Sequence, residues 1–378
     1  MRIEQGVSLA IDAAAAVAEV TANWIGIPDL ILAFSSPVRP LAGVATELAR
    51  RFPGAIIAGC STAGEHLDGH HYQGGLVAIG LSSSKLRAAA VMIEGLGAAA
   101  PERLRAHVDE LFTRLAVDRD EFDPHRYFCL LFVDGLAGRE EAVVPHLADA
   151  LDGVPLVGGS AGDDMAFRET QVMCNGRAAT DAATLVLVES DLPFEILKHQ
   201  HFAATPQTLA ITRADPARRR VYEFDGRPAA RAYCDAVGVA RGALTDAITF
   251  EHPLTFACDG QLYVRSIQQV HDDDSITFYC AIEEGMVVDV AAHDDLVAAL
   301  DRDLAARRAR PADLMIGCNC ILRALETSAS DRHAEVGAVW NRISRHAIGF
   351  DTYGEQLDGL HINQTLVGVA LTAGTTDV

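Results

Sequence analysis

Short, continuous apolar runs alternate with longer segments of helical spacing along most of the chain. Residues 31–35 are apolar and too few for a helix, so they predict a buried strand. Residues 40–52 repeat apolar side chains at helical spacing, and 55–58 predict the next strand. The cycle restarts at 128–133 and again from Leu314. Residues 8–24 are helical by composition, and 101–115 form an amphipathic pattern with proline in the first turn. Residues 75–81 and 86–93 flank Ser82-Ser83-Ser84-Lys85 and predict a hairpin. Apolar runs at 184–188 and 365–371 predict further strands.

The runs end on a recurring turn: Gly59-Cys60-Ser61-Thr62-Ala63-Gly64-Glu65, Gly158-Gly159-Ser160-Ala161-Gly162-Asp163-Asp164 and Gly349-Phe350-Asp351-Thr352-Tyr353-Gly354-Glu355. Residues 31–65 read as apolar run, amphipathic stretch, apolar run and turn, and 130–164 read the same 99 residues later. The third copy, 314–355, has a longer helical segment. That offset is too long for a solenoid period and implies duplicated α/β units that converge their glycine turns. In the C-terminal region, 262–268 and 275–282 alternate across Asp272-Asp273-Asp274 as a hairpin, and 296–310 predict a helix closed by Pro311. The expected class is mixed α/β rather than a simple doubly wound sheet. The expected cut separates residues 1–215 from 216–378.

Charge and cysteine usage narrow the function classes. The net charge of −21 disfavours nucleic acid and anionic membranes, both of which select clustered Lys and Arg. The opening Met1-Arg2-Ile3-Glu4-Gln5 lacks the basic end and apolar core of a signal peptide, and no run of about 18 apolar residues follows. Eight cysteines lie mostly within apolar runs, as in a reduced chain, so the expected compartment is the cytoplasm. Cys318-Asn319-Cys320 is a lone CxC pair and a weak zinc signal.

The glycine turns are too short and irregular for a dinucleotide fingerprint, and none matches a phosphate loop. Glu65, Asp163, Asp164 and Glu355 recur beside them, either to hold an ammonium group or, as the favoured reading, to close each turn. Cys60 has no evident base and is replaced by Gly159 and Phe350 in the other copies, which argues against a nucleophile. His66, His70 and His71 fall in a Gly/Asp-rich segment and read as a solvated loop. His199 and His201 alternate in an extended stretch and face one side, to bind metal or haem iron or to bond backbone carbonyls. His252 precedes Pro253, and His361 leads into the final strand.

These residues carry a resemblance. The first two glycine turns and Phe132-Val133-Asp134-Gly135-Leu136 resemble the FIST N-terminal domain. His252-Pro253-Leu254, Tyr263-Val264-Arg265-Ser266-Ile267 and Cys320-Ile321-Leu322-Arg323 resemble its C-terminal partner, with Asn319 where that motif has aspartate. Phe278-Tyr279-Cys280-Ala281-Ile282-Glu283-Glu284-Gly285, the third turn and His361-Ile362-Asn363-Gln364-Thr365 are similar to the stand-alone FIST proteins known as NosP. The resemblance implies a non-enzymatic sensor with histidine-ligated haem b that binds nitric oxide. It would act on a separate histidine kinase or cyclic-di-GMP enzyme, and it leaves room for a homodimer. His361 and His201 lead as iron ligands, followed by His199 and His252. Arg265 and Arg323 suit the propionates, since arginine matches carboxylates, and Tyr353 is a further cofactor candidate. The alternative is a haem-free FIST sensor for a small polar metabolite such as an amino acid.

Overall fold

The computed structural model describes residues 1–258 and 260–373. Its chain divides into two compact units. Unit 1 comprises Met1–His199, Asp301–Leu360 and the chain from Leu366 onward; unit 2 comprises Gln200–Leu300 and His361–Thr365. The cut expected at 215/216 falls at the end of the long strand Phe202–Asp215, inside unit 2.

Unit 1 is one α/β motif written three times. Copy 1 runs through strand Arg2–Ser8, helix Ala13–Val20, strand Leu30–Ser35, helix Leu41–Arg51, strand Ile56–Ser61, a hairpin (Glu65–Leu67 and His70–Tyr72) and strand Leu76–Ser82. Leu30–Ser35 and Ile56–Ser61 pair in parallel across their helical crossover, and Leu76–Ser82 inserts antiparallel between Leu30–Ser35 and Arg2–Ser8. Copy 2 repeats this with Leu86–Glu94, Pro101–Arg114, Tyr127–Val133, Glu140–Leu151, Leu156–Ser160, the hairpin Val172–Cys174 and Arg177–Ala179, and Ala182–Ser190. Copy 3 uses Phe194–His199, Ala312–Cys320, two helices (Ile321–Ala329 and His333–Ile343), Ser344–Thr352, Glu355–Leu357 and Leu366–Leu371. The mixed α/β class and the repeated units are therefore as the sequence implies. Unit 2 enters copy 3 after Phe194–His199, at the chain position that one helix fills in each other copy.

The hairpins are exchanged in a ring. That of copy 1 pairs with Ser344–Thr352 of copy 3, and that of copy 2 pairs with Ile56–Ser61 of copy 1. Glu355–Leu357 of copy 3 completes the ring on Leu156–Ser160 of copy 2. At the centre, Phe34, Phe132 and Phe350 pack with ring centroids 4.6–6.0 Å apart. Each parallel strand pair contributes one phenylalanine and one small residue at this level: Phe34 beside Cys60, Phe132 beside Gly159, and Phe350 beside Cys318. A Cβ on Gly159 would stand 2.9 Å from the Phe350 ring, so the small partner is a packing requirement.

Several expected elements differ. The helix read over 8–24 is confined to Ala13–Val20, where the Asp12 carboxylate accepts from the Ala15 N–H. Arg2–Ser8 is instead a strand, defined by its backbone pairing rather than by apolar content. The hairpin expected across Ser82-Ser83-Ser84-Lys85 is a crossover between sheets. Leu76–Ser82 stays in the first sheet, while Leu86–Glu94 pairs with Ala182–Ser190 in the second.

Unit 2 is built on an eight-stranded sheet whose long strand, Phe202–Asp215, shifts register between Ala204 and Thr208 and again after Ile211. Helix Ala229–Val237 buries Ala229, Ala230 and Tyr233 against it and ends on Gly238 at φ 81°. The expected second hairpin is shifted: Ile267–Val270 pairs with Ile276–Phe278, while Gln261–Arg265, read as part of its first arm, pairs with Leu254–Cys258. The helix expected over 296–310 ends at Asp303 and is followed by a 3-10 turn, Ala305–Ala309. No helix among the described residues is long and apolar enough to cross a membrane.

Candidate functional site

The hairpin that copy 1 lends to copy 3 creates a buried polar cluster in unit 1. Asp68 (φ 47°) and Gly69 (φ 74°) make its tight turn, with both residues in the left-handed region that two-residue hairpins require. His66 and His71 are therefore cross-strand partners. The Asp68 carboxylate accepts the Ala347 N–H at 3.0 Å, and the Asp68 N–H donates to the Ala347 carbonyl at 2.8 Å, which fixes the hairpin on the strand. His66 then faces Gly349, and its Nε2 lies 2.7 Å from Asp351 Oδ1. His71 Nε2 lies 2.8 Å from Asp351 Oδ2. Asn319, paired with Asp351 on the neighbouring parallel strand, donates from Nδ2 at 2.8 Å. Arg323, one turn into the following helix, donates from Nε to Asn319 Oδ1 at 3.1 Å.

Asp351 is fully buried, and burial opposes its charge. The two imidazoles outweigh burial and hold its carboxyl below the ordinary range. His333 stacks on His71, with rings 4.0 Å apart and 4° from parallel. Burial first, then the neighbouring histidines, pushes the His333 imidazole down to about 4. Its Nε2 meets Ser328 Oγ at 2.7 Å.

A cavity of about 330 Å³ opens onto this cluster, with His71, Asp351, Asp164, Gln73 and Ser328 as polar lining and Met165 and Leu325 among the apolar walls. The segment beside it carries backbone strain: Asp164, Met165 and Phe167 all have φ of 50–63°. Asp163 holds that segment by accepting the N–H groups of Phe167, Arg168 and Glu169 at 2.6–3.0 Å. Tyr353 donates its hydroxyl to Asp163 at 2.5 Å, accepts the Met165 N–H at 2.8 Å, and stacks on Phe167. Tyr353→Phe should cost about 1–2 kcal/mol of stability, read by urea unfolding, and speed proteolysis at 163–169. Unchanged stability and cleavage would remove Tyr353 from the support of this segment.

The turn carboxylates divide by role. Glu65 and Glu355 are buried, and each accepts the threonine hydroxyl three residues earlier, from Thr62 and Thr352. Burial pushes the Glu65 carboxyl up to about 8. These two close their turns, as does Asp163. Asp164 accepts the Ser36 hydroxyl at 2.6 Å and lines the cavity. Cys60 is fully buried, and burial raises its thiol well above the usual range.

The pseudo-equivalent positions in the other copies are chemically plain. Met173 faces Gly59 and has Ser61 at the Asp351 position; Gln356 faces Gly158 and donates to Ser160 Oγ at 2.9 Å. The fold therefore does not require the His–Asp–His arrangement. The reading of His66, His70 and His71 as a solvated loop is corrected here: they lie on paired strands and His66 is buried, while His70 is exposed as expected.

The residues expected for haem fall into both units. In unit 1, Arg323 and Tyr353 belong to the surroundings of Asp351, and buried His199 has Nε2 3.6 Å from Asp303 Oδ2. Arg323 is buried, which pushes its guanidinium down to about 10. In unit 2, Arg265 Nη1 donates to the His361 carbonyl at 3.1 Å, and its guanidinium covers the Phe256 ring at 4.4 Å. His252 Nδ1 lies 3.2 Å from the Ala291 carbonyl, and His201 packs against Phe202 and His293. Those observations bring Arg265 and His361 together.

Residues 29–227 match the FIST N domain and residues 229–358 match the FIST C domain. An uncharacterized protein of Methanocaldococcus jannaschii is 21% identical over 205 residues, covering 51% of this chain and 38% of the relative's length. The chain belongs to the FIST family, a group of small-ligand sensory domains in signalling.

Proposed function

We propose that this FIST protein senses a small polar molecule bearing an amine, an amino acid being the type case, in the unit 1 cavity at Asp351. The observation behind this reading is the asymmetry of the three copies. One position of three replaces Met173/Ser61 and Gln356/Ser160 by His66/Asp351, and that position adjoins a cavity whose exposed rim supplies a second carboxylate, Asp164. Gln73 and Ser328 add neutral donors and acceptors for the ligand's carboxylate end. Small-molecule sites combine a few convergent polar groups with apolar walls in this way. Ligand contact with the strained 164–167 segment would shift its conformational equilibrium, and a separate histidine kinase or cyclic-di-GMP enzyme would read that shift.

Haem is the second reading, favoured by one observation in unit 2. The Arg265 Nε is buried without a hydrogen-bond partner among the described residues, beside the His361 backbone. A haem propionate would satisfy it, with His361 ligating iron. The group would supply an iron centre with one face open to nitric oxide.

One screen separates the two. Thermal unfolding with the common amino acids and with haem should show a ligand-dependent rise for amino-bearing molecules. Asp164→Asn, on the exposed rim, should weaken that binding at least ten-fold by calorimetry while leaving the unliganded melting temperature unchanged. A stoichiometric Soret band lost in His361→Ala, with no amine response, would replace the first reading by the second.

A further inference from the structure

The geometry points to a divalent transition-metal site formed by His66, His71 and Asp351, an occupant that would compete with a cationic amine for the same carboxylate. The three side chains offer Nε2, Nε2 and a carboxylate oxygen, all within 4.8 Å of one another. Two imidazoles and one carboxylate are a donor set suited to zinc or ferrous iron, and distinct from the all-oxygen sets of calcium and magnesium. The CxC pair singled out in the sequence contributes no donor to this group.

The arrangement has the supports that a metal site needs. The tight turn at Asp68-Gly69 fixes the two histidines opposite each other, so their relative placement does not depend on flexible loops. Asn319 orients the Asp351 carboxylate and is itself oriented by Arg323. His333, stacked flat on His71, fixes the plane of that ring. Such outer partners set ligand orientation in metal sites.

The imidazole nitrogens now lie 2.7 and 2.8 Å from the carboxylate oxygens. A tetrahedral ion at about 2.0–2.1 Å from each donor separates neighbouring donors by roughly 3.3 Å. The two nitrogen–oxygen contacts would each lengthen by about half an ångström to reach that spacing. His71 and Asp351 also line the cavity, so remaining coordination positions would open towards it, as in sites that bind water or an exogenous donor. The counterparts in the other copies, Met173 with Ser61 and Gln356 with Ser160, cannot form such a set. Copies of one motif therefore differ where the donors converge.

The full chain, stripped with a chelator, should bind one Zn²⁺ per molecule by calorimetry and gain thermal stability. Co²⁺ in its place should give visible absorption bands of a low-symmetry nitrogen and oxygen site. His71→Ala, on the partly exposed hairpin strand, should weaken Zn²⁺ at least ten-fold and abolish the Co²⁺ bands. His333→Ala, outside the donor set, should retain stoichiometric binding. Lack of stoichiometric Zn²⁺ uptake, or equal uptake by His71→Ala, overturns the metal site. Amine binding without Zn²⁺ would sink this inference alone, while Zn²⁺ uptake without any amine response would sink the ligand reading alone.

Discussion

Gly158→Ala is expected to leave little folded protein. A Cβ at this position would lie 1.8 Å from the Leu131 carbonyl oxygen and 2.7 Å from its carbon. Leu131 is the parallel partner of Gly158, so the obstruction is backbone, and no rotamer change relieves it. The same relation holds for Gly59 against Ala33 and for Gly349 against Gly317, at 1.7 and 2.4 Å. Each glycine lets the hairpin strand of another copy lie across it, opposite Met173, Gln356 or His66. Separating the parallel strands would also break that exchange, so a cost on the order of 4 kcal/mol or more follows, at the upper end for a single substitution. Gly138→Ala is the control: its φ is 61°, nothing lies within 4 Å of a Cβ, and the cost should be about 1–2 kcal/mol. Urea unfolding of all four variants should rank Gly59 and Gly158 as the most damaging, Gly349 next and Gly138 least. A Gly158→Ala protein within 1 kcal/mol of the parent would show that the recurring glycines are not close-packing positions.

Those glycines were legible in the sequence because a close backbone approach leaves a local mark, repeated in register with apolar strands. The exchange of hairpins left no comparable mark. Glu65–Leu67 pairs with residues about 280 positions later, and pairing at that separation depends on the assembled sheets, not on neighbours in the chain. The hairpins themselves did have a signal. Asp68-Gly69, Asn175-Gly176 and Asp358-Gly359 sit at matching places, and Asp68, Asn175 and Asp358 all have φ of 47–50°. In copy 1 the three histidines give the segment a polar composition that masks its turn chemistry. Unit 2 blurred the third copy by entering it between the edge strand and the first parallel strand.

The candidate site was legible only through its neighbours. Glu65-His66-Leu67-Asp68-Gly69-His70-His71-Tyr72 and Glu355-Gln356-Leu357-Asp358-Gly359-Leu360-His361-Ile362 are copies of one hairpin sequence. His361, favoured by resemblance, stands at the sequence position that His71 holds in copy 1. Asp351, the residue on which the unit 1 cluster converges, stands in the sequence as one member of a glycine turn. A carboxylate at a buried strand position where the other copies have Ser61 and Ser160 is the available signal. Asn319 gains meaning by the same comparison. With aspartate at 319, two carboxylates would face each other across 2.8 Å, with Arg323 beside the added one.

Asp351→Asn is expected to separate function from folding at this point. The amide keeps the shape of the carboxylate, its oxygen can still accept from Asn319, and its N–H groups can donate to a neutral imidazole. Stability should fall by only about 1–2 kcal/mol, the scale of a charge-assisted bond replaced by a neutral one. Binding of a cationic ligand or of Zn²⁺ should fall at least a hundred-fold, because the buried negative charge is gone. Asp351→Ala should behave differently. It strips the acceptor from His66, His71 and Asn319 together, leaving buried polar groups unpaired, at a cost of about 3–5 kcal/mol. Asn319→Asp places a second carboxylate beside Asp351 and should destabilise the chain even though Arg323 is near. The exchange Asn319→Asp with Asp351→Asn restores a single buried charge on the neighbouring strand, next to Arg323. It should regain most of the stability lost by Asn319→Asp, giving a coupling energy of about 1–3 kcal/mol in the double-mutant cycle. It should not regain binding, since the charge no longer sits between His66 and His71. Recovery of both would mean that the cluster serves the fold through its net charge. Recovery of stability alone places the function in the geometry around Asp351.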